Sequence, residues 1–289
     1  MAKRITYSIP LRQVWKEYKK WCKVSKSTDG EQFFEELRLL AYKDQNITTR
    51  TATLRMASFW LNDYRKEILH VWFDDKELFG FLRDEVSLKD LDGIKTYLAQ
   101  NGEPEEMPDP STGKPYKWIK YLIGIHIPNE VDGFVFGFSL DLQRNEISLY
   151  ICSDDGGGQI DETEYEALKD RTDWEAENIK KNFKFAINLI AYMECFPECV
   201  RDGVPDTNNI NTYRYKDRSV QLGVSDKITE TVKGAMRPHF RRGYIKYLSS
   251  DFYKNKQGQL IFVSETMVNA KSKTVEMSDD KKKIQDFQA

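Results

Sequence analysis

Long apolar runs are missing from this sequence, and that absence sets the first limit. No stretch of the 289 residues approaches the roughly 18 uninterrupted apolar residues of a membrane-spanning helix. The segment after Met1-Ala2-Lys3-Arg4 carries charge and aromatics in place of an apolar signal core, so a cytoplasmic protein without a membrane partner is expected. Cysteine is scarce: Cys22, Cys152, Cys195 and Cys199 are too few for a disulfide scaffold in a chain of this size. Histidine is scarcer, and His70, His126 and His239 lie far apart along the chain. Cys195 and Cys199 alone fall short of the four ligands usual in a structural zinc site. The cysteines read as small buried hydrophobes, with no metal expected.

The common signatures of catalysis are missing too. There is no Gly-rich phosphate loop with its lysine, no dinucleotide fingerprint and no Gly-x-Ser-x-Gly elbow. Gly156–Gly158 follow Asp154 and Asp155, which would repel a phosphate, so the run reads as a flexible acidic loop; it also lacks calcium-loop spacing. Asp161, Glu162, Glu164 and Glu166 read as a solvated face, although linear spacing does not decide whether acids gather around a cation. The expectation is a protein that binds a partner, is not an enzyme and uses no cofactor.

What is present argues for a folded domain. Hydrophobic residues reach 40% and aromatics 13%, too much apolar material for a disordered chain. The net charge of -2 hides a segregation. Residues 1–26 hold eight basic residues against one acid, and residues 233–273 nine against two. Residues 27–232 hold 24 basic and 39 acidic residues. Either the basic ends fold back on the acidic middle or they face an anionic partner.

Periodicity sets out an α+β order. Ser8 is expected to cap a helix beginning at Pro10, with Leu11, Val14, Trp15, Tyr18 and Trp21 on one face. Thr28 and Glu31 have capping-box spacing before a second helix, and Leu54 to Tyr64 form a third amphipathic run. Ile68 to Phe73 reads as a strand, Asp75 as the cap of a short helix, and Ser87 and Asp90 as the start of another. Residues 101–116, with four prolines, read as a linker or a long surface loop. Trp118–Ile127, Gly133–Asp141 and Glu146–Cys152 form an antiparallel meander, followed by a long helix over Trp174–Phe196. Residues 200–235 read as a surface excursion. Tyr244–Leu248, Gln259–Val263 and Met267–Val268 read as a small β unit. The divisions expected are 1–100 (helical), 117–199 (sheet plus long helix, one domain with 1–100 or separate) and 233–275 (basic β unit).

One segment concentrates binding chemistry. Arg237, His239, Arg241 and Arg242, with Tyr244 and Lys246 just beyond, combine arginine forks suited to phosphate or carboxylate with aromatics able to stack on bases. Pro238 would stiffen its start and Gly243 would allow a tight turn. The same cluster could instead tie the C-terminal unit to the acidic middle. A phage or plasmid protein binding RNA or DNA through this motif is one functional reading.

The run Arg237-Pro238-His239-Phe240-Arg241-Arg242-Gly243, then an aromatic strand, a turn and Val263 to Asn269, resembles the C-terminal signature of a mobile-element family. That family includes the second-described class of type V-A anti-CRISPR proteins. Tyr244-Ile245 stands where the family has His-Trp. The likeness extends to Arg55–Phe73, to Trp118–Asp155, and to Ile179–Pro205 with its Gly203-Val204-Pro205 step. The resemblance implies a protein in a bacterial host that recognises the nascent N-terminal polypeptide of the type V-A RNA-guided nuclease, leading to loss of its mRNA. Host machinery would carry out the degradation, with contact to ribosome or mRNA left open. An extended peptide would suit a meander with a free edge strand.

Overall fold

The computed structural model describes residues 4–29, 32, 33, 36, 68–108, 115–154, 157–210, 215, 218–230 and 239–264. The predicted run over residues 54–64, and most of the helix predicted before it, lie outside these residues.

In chain order the strands are β1 (Ile9–Pro10), β2 (Leu69–Phe73), β3 (Val86–Ser87), β4 (Pro104–Pro108), β5 (Pro115–His126), β6 (Asp132–Asp141) and β7 (Glu146–Ser153). They continue with β8 (Gly157–Asp161), β9 (Val200–Asp202), β10 (Ser219–Leu222), β11 (Thr229–Glu230), β12 (His239–Phe240), β13 (Gly243–Tyr247) and β14 (Leu260–Ser264). The helices are α1 (Arg12–Ser25), α2 (Lys76–Gly80), α3 (Leu91–Asn101), α4 (Glu162–Ala167) and α5 (Trp174–Cys195); α2 continues into a π-helical turn over Phe81–Glu85.

The meander β5-β6-β7 forms as the alternation predicts, and β8 extends it where a flexible loop was expected. Phe134, Phe136, Phe138 and Leu140 of β6 face one core while Val135 faces another. Asn129 and Asn145 take left-handed backbone (φ 60° and 55°) between its strands, a conformation asparagine tolerates. The fold is α+β, but its sheet is mixed rather than wholly antiparallel. Among the described residues it has nine strands, with β2 parallel to both β5 and β10, β9 antiparallel beyond β10, and β1 parallel to β6.

Three expectations fail here for identifiable reasons. Residues 101–116 are not simply a loop: β4 pairs antiparallel with the start of β5, from Pro104 opposite Ile119 to Pro108 opposite Pro115. Prolines fit there because β4 lies at an edge, where a missing N–H costs little. The excursion predicted for 200–235 contains β10, whose Val220 and Leu222 are buried beside β2; four residues are too few to show a period. Ser8 caps nothing. It is buried, its Oγ accepts from the Ile127 amide at 2.7 Å, and α1 begins after Leu11, whose φ is 52°.

Two cores cover the two faces of the sheet. One holds Phe183, Phe185, Ala186, Ile187, Leu189 and Ile190 of α5 against the meander. Asp173 caps α5, its carboxylate accepting from the Ala176 amide at 3.1 Å. Asn188, buried in α5, donates to the carbonyls of Leu82 and Val86 (both 3.0 Å), tying the helix to the π-helical turn. The other core holds Leu11, Tyr18, Phe33, Ile68, Val135 and Cys152.

The C-terminal β unit is not closed on itself. β13 pairs with β14 on one side and, in parallel, with β3 on the other, Gly243 opposite Val86. Ile245, Tyr247 and Leu260 belong to the same core as α5. The strand expected at Met267–Val268 lies outside the described residues.

Candidate functional site

The predicted binding motif separates once folded. Arg237 and Pro238 lie outside the described residues. His239 falls in β12, its backbone paired with Glu230 of β11. Phe240, a motif residue not singled out for binding, stacks on Phe81 with ring centres 4.6 Å apart. Arg241 is half-buried and its amide donates to the Ile228 carbonyl at 2.9 Å. Arg242 is exposed and its Nε donates to the Glu85 carboxylate at 2.7 Å, so this arginine contacts the acidic middle of its own chain. Such an exposed pair contributes about 0.2–1 kcal/mol. Alternation along β13 places Tyr244 and Lys246 on one face, opposite Val263 and Ile261 of β14, and turns Ile245 and Tyr247 inward. The Lys89 ammonium lies 5.3 Å from the centre of the Tyr244 ring.

Gly243 is required for a reason other than the expected turn. It sits within β13 opposite Ser264. A Cβ there would run into the Val263 carbonyl and come within 2.5 Å of the Phe262 ring. Gly243→Ala is therefore expected to lower stability by about 1–3 kcal/mol, as overpacking does. A shifted urea midpoint at unchanged slope would show it.

The segment read as an acidic loop is partly strand: Ser153 ends β7 and Gly157 begins β8. Among the described residues β8 pairs on one side only, with β7. Gly157, Gly158 and Gln159 are exposed, and a side chain at Gly158 would meet nothing within 4 Å. Gly157 is needed for close approach, because a Cβ would lie 2.7 Å from the Ile151 carbonyl. The acids that follow cap or lie on a helix with no buried residue, Glu164 and Glu166 exposed as expected, and each has a partner. Asp161 and Glu164 form a capping box on α4, and Glu166 pairs with Lys169 at 2.5 Å. Glu162 meets the buried Lys95 at 2.8 Å. Burial alone would lower the Lys95 pKa; hydrogen bonds to Glu162 and Asp92 outweigh it and raise the pKa.

A histidine pair is the feature that sequence reasoning missed. His70 and Trp72 share one face of β2, and the parallel register sets Trp72 beside His126 of β5. His70 Nδ1 lies 2.9 Å from His126 Nε2, and His126 Nδ1 lies 3.0 Å from the Ser8 carbonyl. A carbonyl only accepts, so His126 carries its proton on Nδ1 and accepts from His70 through Nε2. Trp72 stacks on His126 (centres 3.8 Å, planes 9° apart), and its indole donates to Ser219 Oγ at 3.0 Å. Tyr215 stands edge-on to His70 at 4.4 Å and Tyr7 edge-on to Trp72 at 5.2 Å. Burial pushes the His70 pKa down to about 4. Burial and the neighbouring His70 take His126 well below its usual value, against the Ser8 hydrogen bond. Nothing in strands 56 residues apart announces this contact.

Burial likewise pushes the Cys195 thiol up to about 12, and raises Cys199. Among the described residues no group of three His, Cys, Asp or Glu is placed to hold a metal ion, and no helix is long and apolar enough to cross a membrane. Comparison with protein-family models, curated proteins and solved structures finds no match to this chain.

Proposed function

We propose that the protein is a binding protein that takes up an extended polypeptide as an added strand beside β8. Its partner would be the nascent N-terminal segment of a type V-A RNA-guided nuclease, and recognition would lead to loss of the nuclease mRNA through host machinery. The observation that carries the binding mode is the bare edge of β8, which pairs only with β7 among the described residues and has Gly157 and Gly158 on it. Edge strands are ordinarily blunted by lysine, proline or a covering element, because an open row of amides and carbonyls pairs readily with another chain. Residues 157–161 hold no lysine or proline, and α4, which follows β8, stacks its Tyr165 on Phe183 of α5 (4.5 Å). Main-chain pairing would supply affinity, and alternate side chains selectivity. The choice of target rests on the resemblance around Arg237 to Gly243, Tyr244-Ile245 excepted.

Co-expression with a type V-A nuclease tests the reading. The nuclease transcript is expected to fall when the native N-terminal peptide is encoded and to stay level when that peptide is recoded to a different sequence. With purified protein, a synthetic copy of the peptide is expected to slow amide exchange within Gly157–Asp161. A transcript indifferent to recoding sinks the target, and unchanged exchange in β8 sinks the binding mode.

A further inference from the structure

The cationic residues of the C-terminal hairpin divide into those used by the fold and those left over. Arg242 is held by Glu85, and Arg241 is half-buried. Lys246, Lys254 and Lys256 have no ion-pair partner among the described residues. Lys246 follows Tyr244 on the outer face of β13. Lys254 and Lys256 belong to the segment Asp251–Lys256 that joins β13 to β14, two short 3-10 turns meeting at a kink at Lys254, whose φ is 28°. That segment also presents Phe252, 84% exposed, its ring edge-on to Tyr253 at 5.6 Å.

The turn is built, not frayed. Ser250 Oγ accepts from the Phe252 amide at 3.3 Å, and the Gly258 amide donates to the Leu248 carbonyl at 2.8 Å. The Gln257 side chain donates to the Ser249 carbonyl at 3.3 Å and to Asp251 Oδ1 at 2.6 Å. Asp251 is the one acid among residues 239–264, which hold five basic residues, in a chain of net charge -2. A solitary exposed phenylalanine is ordinary on a protein surface. Here the backbone that carries the ring is hydrogen-bonded, and the ring stands near lysines that lack ion-pair partners among the described residues, so two needs are open together.

One ligand class answers both. Single-stranded nucleic acid offers flat unstacked bases to a ring and regularly spaced phosphates to lysines. A duplex hides its bases in the stack, and an acidic peptide offers a flat face only where an aromatic residue interrupts its charges, not at every repeat. We infer that the β13–β14 hairpin is a docking platform for single-stranded nucleic acid. Phe252 stacks on a base, Lys254 and Lys256 meet the flanking phosphates, and Lys246 with Tyr244 extends the track along β13. This assignment moves the nucleic-acid contact from the arginines of the motif to the lysines beyond it, and it stands independently of peptide recognition at β8.

Fluorescence anisotropy with the full chain and fluorescein-labelled oligo-U and oligo-dT, each about 12 nucleotides to match known site sizes, gives the test. Binding is expected to weaken with salt, each phosphate contact contributing about 0.7 to the log–log slope. Lys254→Gln with Lys256→Gln should flatten that slope by about 1.4. Phe252→Ser should weaken binding about tenfold at every salt concentration and leave the slope alone, which a merely structural role would not do. All three side chains are exposed, and unchanged thermal unfolding would show the variants folded. An unchanged slope in the lysine variant, unchanged affinity in Phe252→Ser, or equal binding of a duplex overturns the inference. Tighter binding of one oligonucleotide names RNA or DNA as the source. Exchange protection of β8 by peptide should survive in these variants, so failure at either surface is told apart from failure at the other.

Discussion

Acidification from pH 7.5 to pH 4 is expected to remove roughly 3 kcal/mol of stability through His70 alone, since its pKa falls from 6.5 to about 4 on folding. The sign follows from where the proton goes. The fold holds His70 neutral between Tyr215 and His126, while the unfolded chain takes up a proton near pH 6.5. The contribution is complete above pH 6.5, is lost as pH falls through the window down to about 4, and is flat below it. His126, driven lower by the same burial, acts in the same direction. Among the described residues the groups facing the pair are the Ser8 carbonyl, the Trp72 ring and the Tyr215 ring, none of which is a carboxylate able to hold an imidazolium. Urea unfolding at pH 7.5, 6, 5 and 4 should show stability falling by up to about 1.4 kcal/mol per pH unit for each proton taken up. In His70→Gln the slope should be shallower. An equal slope in that variant would place the proton uptake on other groups.

Trp72→Ala is expected to cost about 3–5 kcal/mol, the range for deleting a large buried aromatic. The indole is fully buried and serves four neighbours: it stacks on His126, stands edge-to-face with Tyr7 and Tyr215, and donates to Ser219. Its removal strips the ceiling from a buried imidazole and leaves a cavity between sheet and N-terminal segment. Against a total stability of about 5–15 kcal/mol, that loss leaves a marginal fold. Equilibrium unfolding followed by near-ultraviolet circular dichroism should place Trp72→Phe between the variant and the parent. A loss below about 1 kcal/mol would mean the site collapses around the missing ring far better than cores usually do.

These sites differ in how much of them could be read beforehand. The meander was legible because alternation and its two asparagine turns are local, and α5 because its apolar spacing and Asp173 cap are local too. The short strands β3, β4 and β10 were not, since each is defined by a partner distant in sequence or by an edge that forgives proline. Residue type told that Arg242 wants a carboxylate or phosphate. It could not tell that Glu85, 157 positions away, would supply one. Tyr244 and Lys246 could be assigned to one face by strand period, whereas the role of Gly243 needed the position of Phe262. The histidines looked unrelated because parallel pairing of β2 with β5 has no signature in either strand.

The place of β2 in the sheet also sets a timetable for synthesis. Its one neighbour, β5, follows within a few tens of residues, but the other, β10, pairs through Ser219–Leu222. A ribosome that has released the chain only as far as α5 therefore exposes a strand with Val71 and Phe73 on one face and an open hydrogen-bonding side. The hairpin is later still, since β13 must return to Val86 and Ser87. Contacts of such separation close slowly. The growing chain is thus itself an incomplete sheet until Leu222 has emerged, and is most prone to misassembly during that interval.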